Sequence, residues 1–190
     1  MSAPAKGALI IGASAGALEA LSVLLPALPA SFPLPIFVIV HVPPDKPSVL
    51  AEIFSAKCRM RAIEAEDKEP VEPGVIYFAP PNYHMLLEDK SSIALSNEDE
   101  VLFSRPSIDV AMECAADIWG SELIGIILTG ANQDGAKGLR AIVQAGGKAF
   151  VQNPVEAYAR AMPEATLALC PEAEVVSLNE MSAYLLSMSA

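Results

Sequence analysis

Ala8-Leu9-Ile10-Ile11-Gly12-Ala13-Ser14-Ala15-Gly16 decides how this chain folds. An apolar run leads into a pentapeptide of small residues, and a helical pattern follows from Ala17. The order is strand, sharp turn with a serine at its apex, then helix. Glycines on either side of Ser14 let the backbone bend tightly and let another chain come close. A serine so placed stands at the carboxyl edge of a sheet, beside the free N–H groups of a helix start. That setting suits a nucleophile with an oxyanion hole in reach. The same small residues equally serve close packing, or a phosphate cradle, at the first βα turn of an α/β protein. The chain has no Gly-x-Gly-x-x-Gly and no Gly-Lys-Ser/Thr, so the nucleotide versions are weak.

Outward from this stretch, strands and helices alternate at the spacing of βαβ units. A helix from Ala17 to Leu25 places Leu18, Leu21 and Leu25 on one face. Ile36 to Val40 is a continuous strand-like run ending at His41, and Pro43-Pro44 stops it. Ser48 to Ala56 reads as a helix, Met60 to Ala65 as a weaker strand and Val75 to Phe78 as the next strand. His84 to Glu88 and Ser92 to Ser96 read as a small hairpin, a β excursion attached to the main sheet. Ser104 caps and Pro106 opens a helix reaching Trp119. Leu123 to Leu128 is a buried strand; the polar turn Thr129 to Gly135 leads into a helix that ends at Gly146-Gly147. Lys148 to Gln152 is a strand and Met162 to Leu169 a helix. Glu174 to Ser177 is a short strand, and Asn179 caps a last helix.

Composition sets bounds. A chain of 190 residues suits one domain with a substantial core. Only 6% of its residues are aromatic although 53% are hydrophobic, so aliphatic side chains fill that core. The net charge of −11 argues against nucleic acid and anionic membrane surfaces as partners. Cys58, Cys114 and Cys170 are odd in number and widely spaced, which fits a reducing cytoplasm better than disulfides or a zinc site. Cys114 shares an apolar helix face with Val110 and Ile118 and reads as core. Between Ala8 and Ala30 there is one charge, Glu19, yet Gly12, Ser14 and Gly16 break this run into strand and helix rather than a membrane span or leader.

Three polar residues fall at carboxyl ends of strands, where open parallel sheets collect function: Ser14, His41 and Asp134. A right-handed β-α-β connection can set the first two strands side by side. Serine needs a base to take its proton, histidine does so near neutral pH, and a carboxylate fixes the imidazole tautomer. Of the two histidines, the edge position favours His41, while His84 reads as a loop residue on the pocket rim. Asp134 reads equally as a helix N-cap, and Asp45 and Asp109 are the alternative carboxylates.

A wider series of motifs occurs in order: Ile11-Gly12-Ala13-Ser14-Ala15-Gly16, Val40-His41-Val42-Pro43, Gly74-Val75-Ile76-Tyr77-Phe78-Ala79-Pro80, Phe103-Ser104-Arg105-Pro106-Ser107-Ile108-Asp109, and Leu128-Thr129-Gly130-Ala131-Asn132-Gln133-Asp134-Gly135-Ala136. It covers nearly the whole chain and closely resembles the catalytic domain of CheB, the chemotaxis-receptor methylesterase family. The resemblance implies an α/β fold with a doubly wound, mostly parallel sheet and helices on both faces. It also implies a triad of Ser14, His41 and Asp134 and an oxyanion hole from the backbone N–H of Ala15 or Ala131. Arg105 and Asn132 become candidates for substrate contact, with no metal or organic cofactor. The expected partners are methylated chemoreceptor cytoplasmic helices, with glutamine deamidation as a second activity. The expected domain is a single one over residues 1–190 without a receiver domain, with control from a separate receiver or regulator protein, or with the domain belonging to a larger fusion, as the two alternatives. The chain departs from the family pattern at Ala17, where the family commonly has glycine, and at Val42, where it has methionine. Ala131 and Asn132 stand where it usually has Met-Gly. That altered oxyanion loop keeps open an esterase or amidase with another substrate; a binding module retaining the fold is a further alternative.

Overall fold

The computed structural model describes residues 5–189; residues 1–4 and 190 of the expected domain lie outside the described ones. Seven parallel strands form the main sheet: β1 (Ala8–Ala13), β2 (Ile36–Val40), β3 (Arg61–Glu64), β4 (Val75–Phe78), β7 (Leu123–Ile127), β8 (Lys148–Gln152) and β9 (Glu174–Val176). Their spatial order is β3-β4-β2-β1-β7-β8-β9. The chain winds outward from β1 through β2 on one side and from β7 through β8 and β9 on the other. The direction of winding therefore reverses between β1 and β7, the place where such sheets open a crevice beyond the strand ends.

The central strands are buried on both faces, as all-parallel sheets require. Along β1 the side chains alternate between two cores: Ala8 and Ile10 join one, Leu9, Ile11 and Ala13 the other. Helices α1 (Ala17–Leu24), α2 (Leu50–Lys57) and α6 (Leu178–Ser187) cover the Leu9 face through Leu21, Leu24, Phe54, Met181 and Leu185. Helices α3 (Ile108–Trp119), α4 (Ala136–Gln144) and α5 (Ala161–Leu169) cover the other through Ile108, Met112, Leu139, Ile142 and Met162. The fold is the doubly wound α/β architecture that the resemblance implied.

Five local expectations change. The hairpin β5 (His84–Asp89) and β6 (Ser92–Ser96) is a separate two-stranded sheet. It packs its apolar side, Met85, Leu87 and Ile93, into the core shared with α3 rather than pairing with the main sheet. Leu18 is 38% exposed, because Ala17, Ala20, Leu21 and Leu24 are the residues that α1 turns inward. Ser107, not Ser104, caps α3, its hydroxyl accepting from the Val110 N–H. Ser177 caps α6 in a reciprocal box with Glu180, two residues before Asn179, which lies inside the helix. Cys114 is half-buried, its thiol bridging to the Leu87 backbone.

Candidate active site

Register delivers the first two residues. Ala13 on β1 pairs with Val40 on β2, so Ser14 and His41 are the next residues on adjacent strands. The His41 N–H extends the ladder to the Ala13 carbonyl (3.3 Å). On the opposite side the Ser14 N–H donates to the Thr129 carbonyl just beyond β7 (2.9 Å). Ser14 is thereby fixed between the ends of β2 and β7, at the point of reversal.

Two glycines make this possible for different reasons. Gly16 has φ +83°, the left-handed conformation that turns the chain into α1 without a Cβ penalty. Gly12 lies under α3: a Cβ there would stand 2.3 Å from the Ile108 Cγ2 methyl. The absence of that Cβ lets the N-terminus of α3 descend onto the strand ends.

At that N-terminus sits Asp134, fully buried. Its Oδ1 accepts from Ser107 Oγ (3.0 Å) and the Asp109 N–H (2.9 Å). Its Oδ2 accepts from the Ile108 N–H (2.6 Å) and from His41 Nε2 (2.7 Å). Burial alone would raise the carboxyl pKa. The His41 hydrogen bond and the two amides outweigh burial and hold Asp134 below the usual carboxylate range. The carboxylate thus stays ionised on free N–H groups at a helix start. An ionised carboxylate only accepts, so His41 carries its proton on Nε2 and its Nδ1 is an acceptor. This is the reverse of the nitrogen usage in the Ser-His-Asp template, with the same division of roles.

The sequence reading of Asp134 as an N-cap is half right: it caps α3, not its own helix. The reciprocal cap comes from Asp109, whose Oδ1 accepts from the Gly135 and Gly138 N–H groups at the start of α4 (2.9 and 2.8 Å). Each carboxylate therefore seats the other's helix. Asp109 is driven up to about 6, by burial first and by the nearby Asp134 charge, against the pull of the two amides.

His84 is missing from the cleft. It is 2% exposed, accepts the Ser107 N–H on Nδ1 (3.1 Å) and donates from Nε2 to the Asp99 carbonyl (3.0 Å). It stands one residue behind the carboxylate cradle rather than on the pocket rim. From sequence His84 is only the less favoured of the two histidines and lies in none of the motifs, while the one signal for Ser107 is its place in the Phe103–Asp109 motif. Asp45 has no contact with His41 among the described hydrogen bonds.

The remaining candidates surround the same edge. The Ala15 and Ala131 N–H groups have no acceptor among the described residues. Asn132 folds its loop by accepting the Asp134 N–H on Oδ1 (3.0 Å). Arg105 lines a cleft of about 280 Å³ together with His41, Pro43, Pro44 and Phe103. Its guanidinium donates to Asn82 Oδ1 and to the carbonyls of Asn97 and Glu98. The Ser14 hydroxyl makes no hydrogen bond among the described residues. Among the described residues no cluster of three or more His, Cys, Asp or Glu is arranged to hold a metal ion. No helix among them is long and apolar enough to cross a membrane.

A doubly wound sheet that gathers a serine, an imidazole and a buried carboxylate at its reversal point has the parts that ester hydrolysis requires. The model of the CheB methylesterase family matches residues 9–185, and the chain belongs to that family. A Leptospira interrogans protein named "Putative protein-glutamate methylesterase/protein-glutamine glutaminase" is 41% identical over 175 residues, covering 92% of this chain and 91% of the relative. The protein-glutamate methylesterase/protein-glutamine glutaminase 5 of Myxococcus xanthus is 34% identical over 166 residues, which is 86% of this chain but 48% of that protein. The crystal structure of the Thermotoga maritima CheB methylesterase catalytic domain matches with a TM-score of 0.91 at 30% identity, over 96% of this chain and 98% of that one.

Proposed function

We propose that the chain hydrolyses the side-chain methyl esters of glutamates on chemoreceptor cytoplasmic helices, in the cytoplasm, and deamidates receptor glutamines at the same site. The observation that carries the reading is the 2.7 Å bond to a fully buried, ionised Asp134 from His41, which stands level with Ser14 one residue past the Ala13–Val40 pair. Ser14 Oγ attacks the ester carbonyl carbon as His41 Nδ1 takes its proton. The carbonyl π pair moves onto oxygen, where the free N–H groups of Ala15 and Ala131 receive it. Collapse breaks the C–O bond to the methoxy group, which leaves as methanol with the proton from His41. Water then attacks the acyl-serine, gives a proton to Nδ1, and collapse restores Ser14 and frees the glutamate. With glutamine the leaving group is ammonia. Asp134 holds the Nε2 proton throughout and stabilises the imidazolium. Asn132 shapes the loop that carries the Ala131 N–H, and Arg105 borders the path of the substrate.

Methanol release from a methylated receptor fragment tests this. Ser14→Ala should lower turnover by on the order of 10⁴ or more, as should His41→Ala. Equal release by wild type and Ser14→Ala would end the assignment. Turnover of a small ester with none on the receptor fragment would move the activity to another substrate, which the Ala131-Asn132 loop would then explain.

A further inference from the structure

The turn between Val101 and Ser104 carries residues that its backbone does not favour. These two residues exchange both backbone hydrogen bonds (3.1 and 2.9 Å), closing a two-residue hairpin turn. Its central residues, Leu102 and Phe103, have φ of +51° and +61°. Positive φ at both positions is the type I′ pattern, which Asn-Gly adopts readily and bulky side chains rarely take. Leu102 is 39% exposed and Phe103 97% exposed. Backbone sterics and hydration both oppose these residues here, and almost no packing of Phe103 within the chain offsets either cost. The turn is nonetheless held in place, because Arg105 clamps its base to Asn82, Asn97 and Glu98. Phe103 borders the cleft that contains His41. Beside it, Glu98, Asp99 and Glu100 are exposed and form no ion pair among the described residues.

We propose that Leu102 and Phe103 form an apolar finger that docks on the protein substrate next to the reacting side chain, in an apolar notch edged by basic residues. This rests on the cleft being the site of ester hydrolysis on a protein. A glutamate that enters beside His41 as part of a larger protein brings its neighbouring surface against Phe103; a small free ester does not. The charge pattern selects this occupant over a second copy of the chain. A net charge of −11 and an acidic run beside the finger repel an identical face and attract a basic one.

The test uses two variants, Phe103→Ala and the double substitution Leu102→Asn with Phe103→Gly, which installs the turn's preferred sequence. The probes are a receptor cytoplasmic fragment carrying labelled methyl esters and p-nitrophenyl acetate. Both variants should lose about tenfold or more in kcat/KM on the fragment, through KM, as truncated interface aromatics do. Turnover of p-nitrophenyl acetate should match wild type, and the double variant should melt at or above the wild-type temperature. Unchanged kcat/KM on the fragment overturns the finger. So does an equal loss on the small ester, which means a disturbed cleft, or a lower melting temperature, which means the tip supports the fold. A KM indifferent to added salt removes the basic edge of the notch. Binding separates this from the catalytic assignment. Ser14→Ala should bind the fragment about tenfold more tightly than Ser14→Ala with Phe103→Ala, whichever residue is the nucleophile. Equal affinity, or none in either, overturns the finger alone.

Discussion

Asp134→Asn isolates what the buried carboxylate does. The native group takes four hydrogens, two on each oxygen: Ser107 Oγ and the Asp109 N–H on Oδ1, the Ile108 N–H and His41 Nε2 on Oδ2. Asparagine keeps the shape but turns one acceptor into an NH₂ donor. At Oδ2 the NH₂ would face the Ile108 N–H at 2.6 Å; at Oδ1 it would face the Asp109 N–H at 2.9 Å. The longer separation and the ability of the Ser107 hydroxyl to accept favour the second arrangement. One buried backbone donor is then orphaned, costing about 1–3 kcal/mol. Loss of the negative charge at the α3 N-terminus adds about 0.5–1 kcal/mol. Urea melts should therefore show a loss on the order of 2–4 kcal/mol with an unchanged m-value. In this arrangement the asparagine oxygen still accepts the Nε2 proton, so His41 keeps its tautomer and loses only the charge that stabilises the imidazolium. Methanol release should fall by about 10²–10³, short of the ~10⁴ of a wrong tautomer. Turnover within a factor of ten of wild type at unaltered stability would refute the carboxylate's role, and a full ~10⁴ loss would refute the orientation argued here. Removal of the neighbouring charge should also lower the Asp109 pKa, readable by carbonyl NMR.

Three further outcomes follow from the same network. His84→Asn retains an acceptor for the Ser107 N–H and His84→Gln a donor for the Asp99 carbonyl, so each should keep more activity than His84→Ala, with losses in kcat rather than KM; equal activity of all three would deny the positioning role. The Asp109 carboxyl is raised from 3.8 to about 6 on folding, so the native state binds that proton more tightly. Its contribution to stability falls as pH rises from about 4 to about 6, whereas Asp134, lowered on folding, adds stability above its unfolded value that is lost in acid. Asp109→Asn keeps an acceptor oxygen for the Gly135 and Gly138 N–H groups and deletes that fall, so its stability at pH 7 relative to pH 4 should exceed the wild-type difference by on the order of 1–3 kcal/mol; parallel pH–stability curves would contradict it. Gly12→Ala should push Ile108 and the α3 start off the strand ends, costing about 1–3 kcal/mol and lowering kcat; a neutral substitution would show that the helix can shift freely.

The sequence by itself determined the sheet and two of the three proposed catalytic residues. Apolar runs such as Ile36 to Val40 become strands through local composition, and a helical crossover can set consecutive parallel strands side by side, as it does for β1 and β2 but not for β2 and β3, so Ser14 and His41 could be read as neighbours. The motif series, through its resemblance to a family, singled out Asp134 as well. Tertiary structure alone explained the choice of carboxylate on physical grounds. Asp45 lies in a loop, Asp109 in the first turn of α3 and Asp134 just before α4, and what brings Asp134 to His41 is the descent of α3 onto β1 over Gly12. The same contact decided that Ser107 caps α3, that Asp109 seats α4, and that His84 serves behind the cleft instead of within it. Backbone periodicity is a property of neighbours in the chain. The pairing of a buried charge with the free amides of a helix 26 residues away is set by how two layers pack, and no local pattern carries that information.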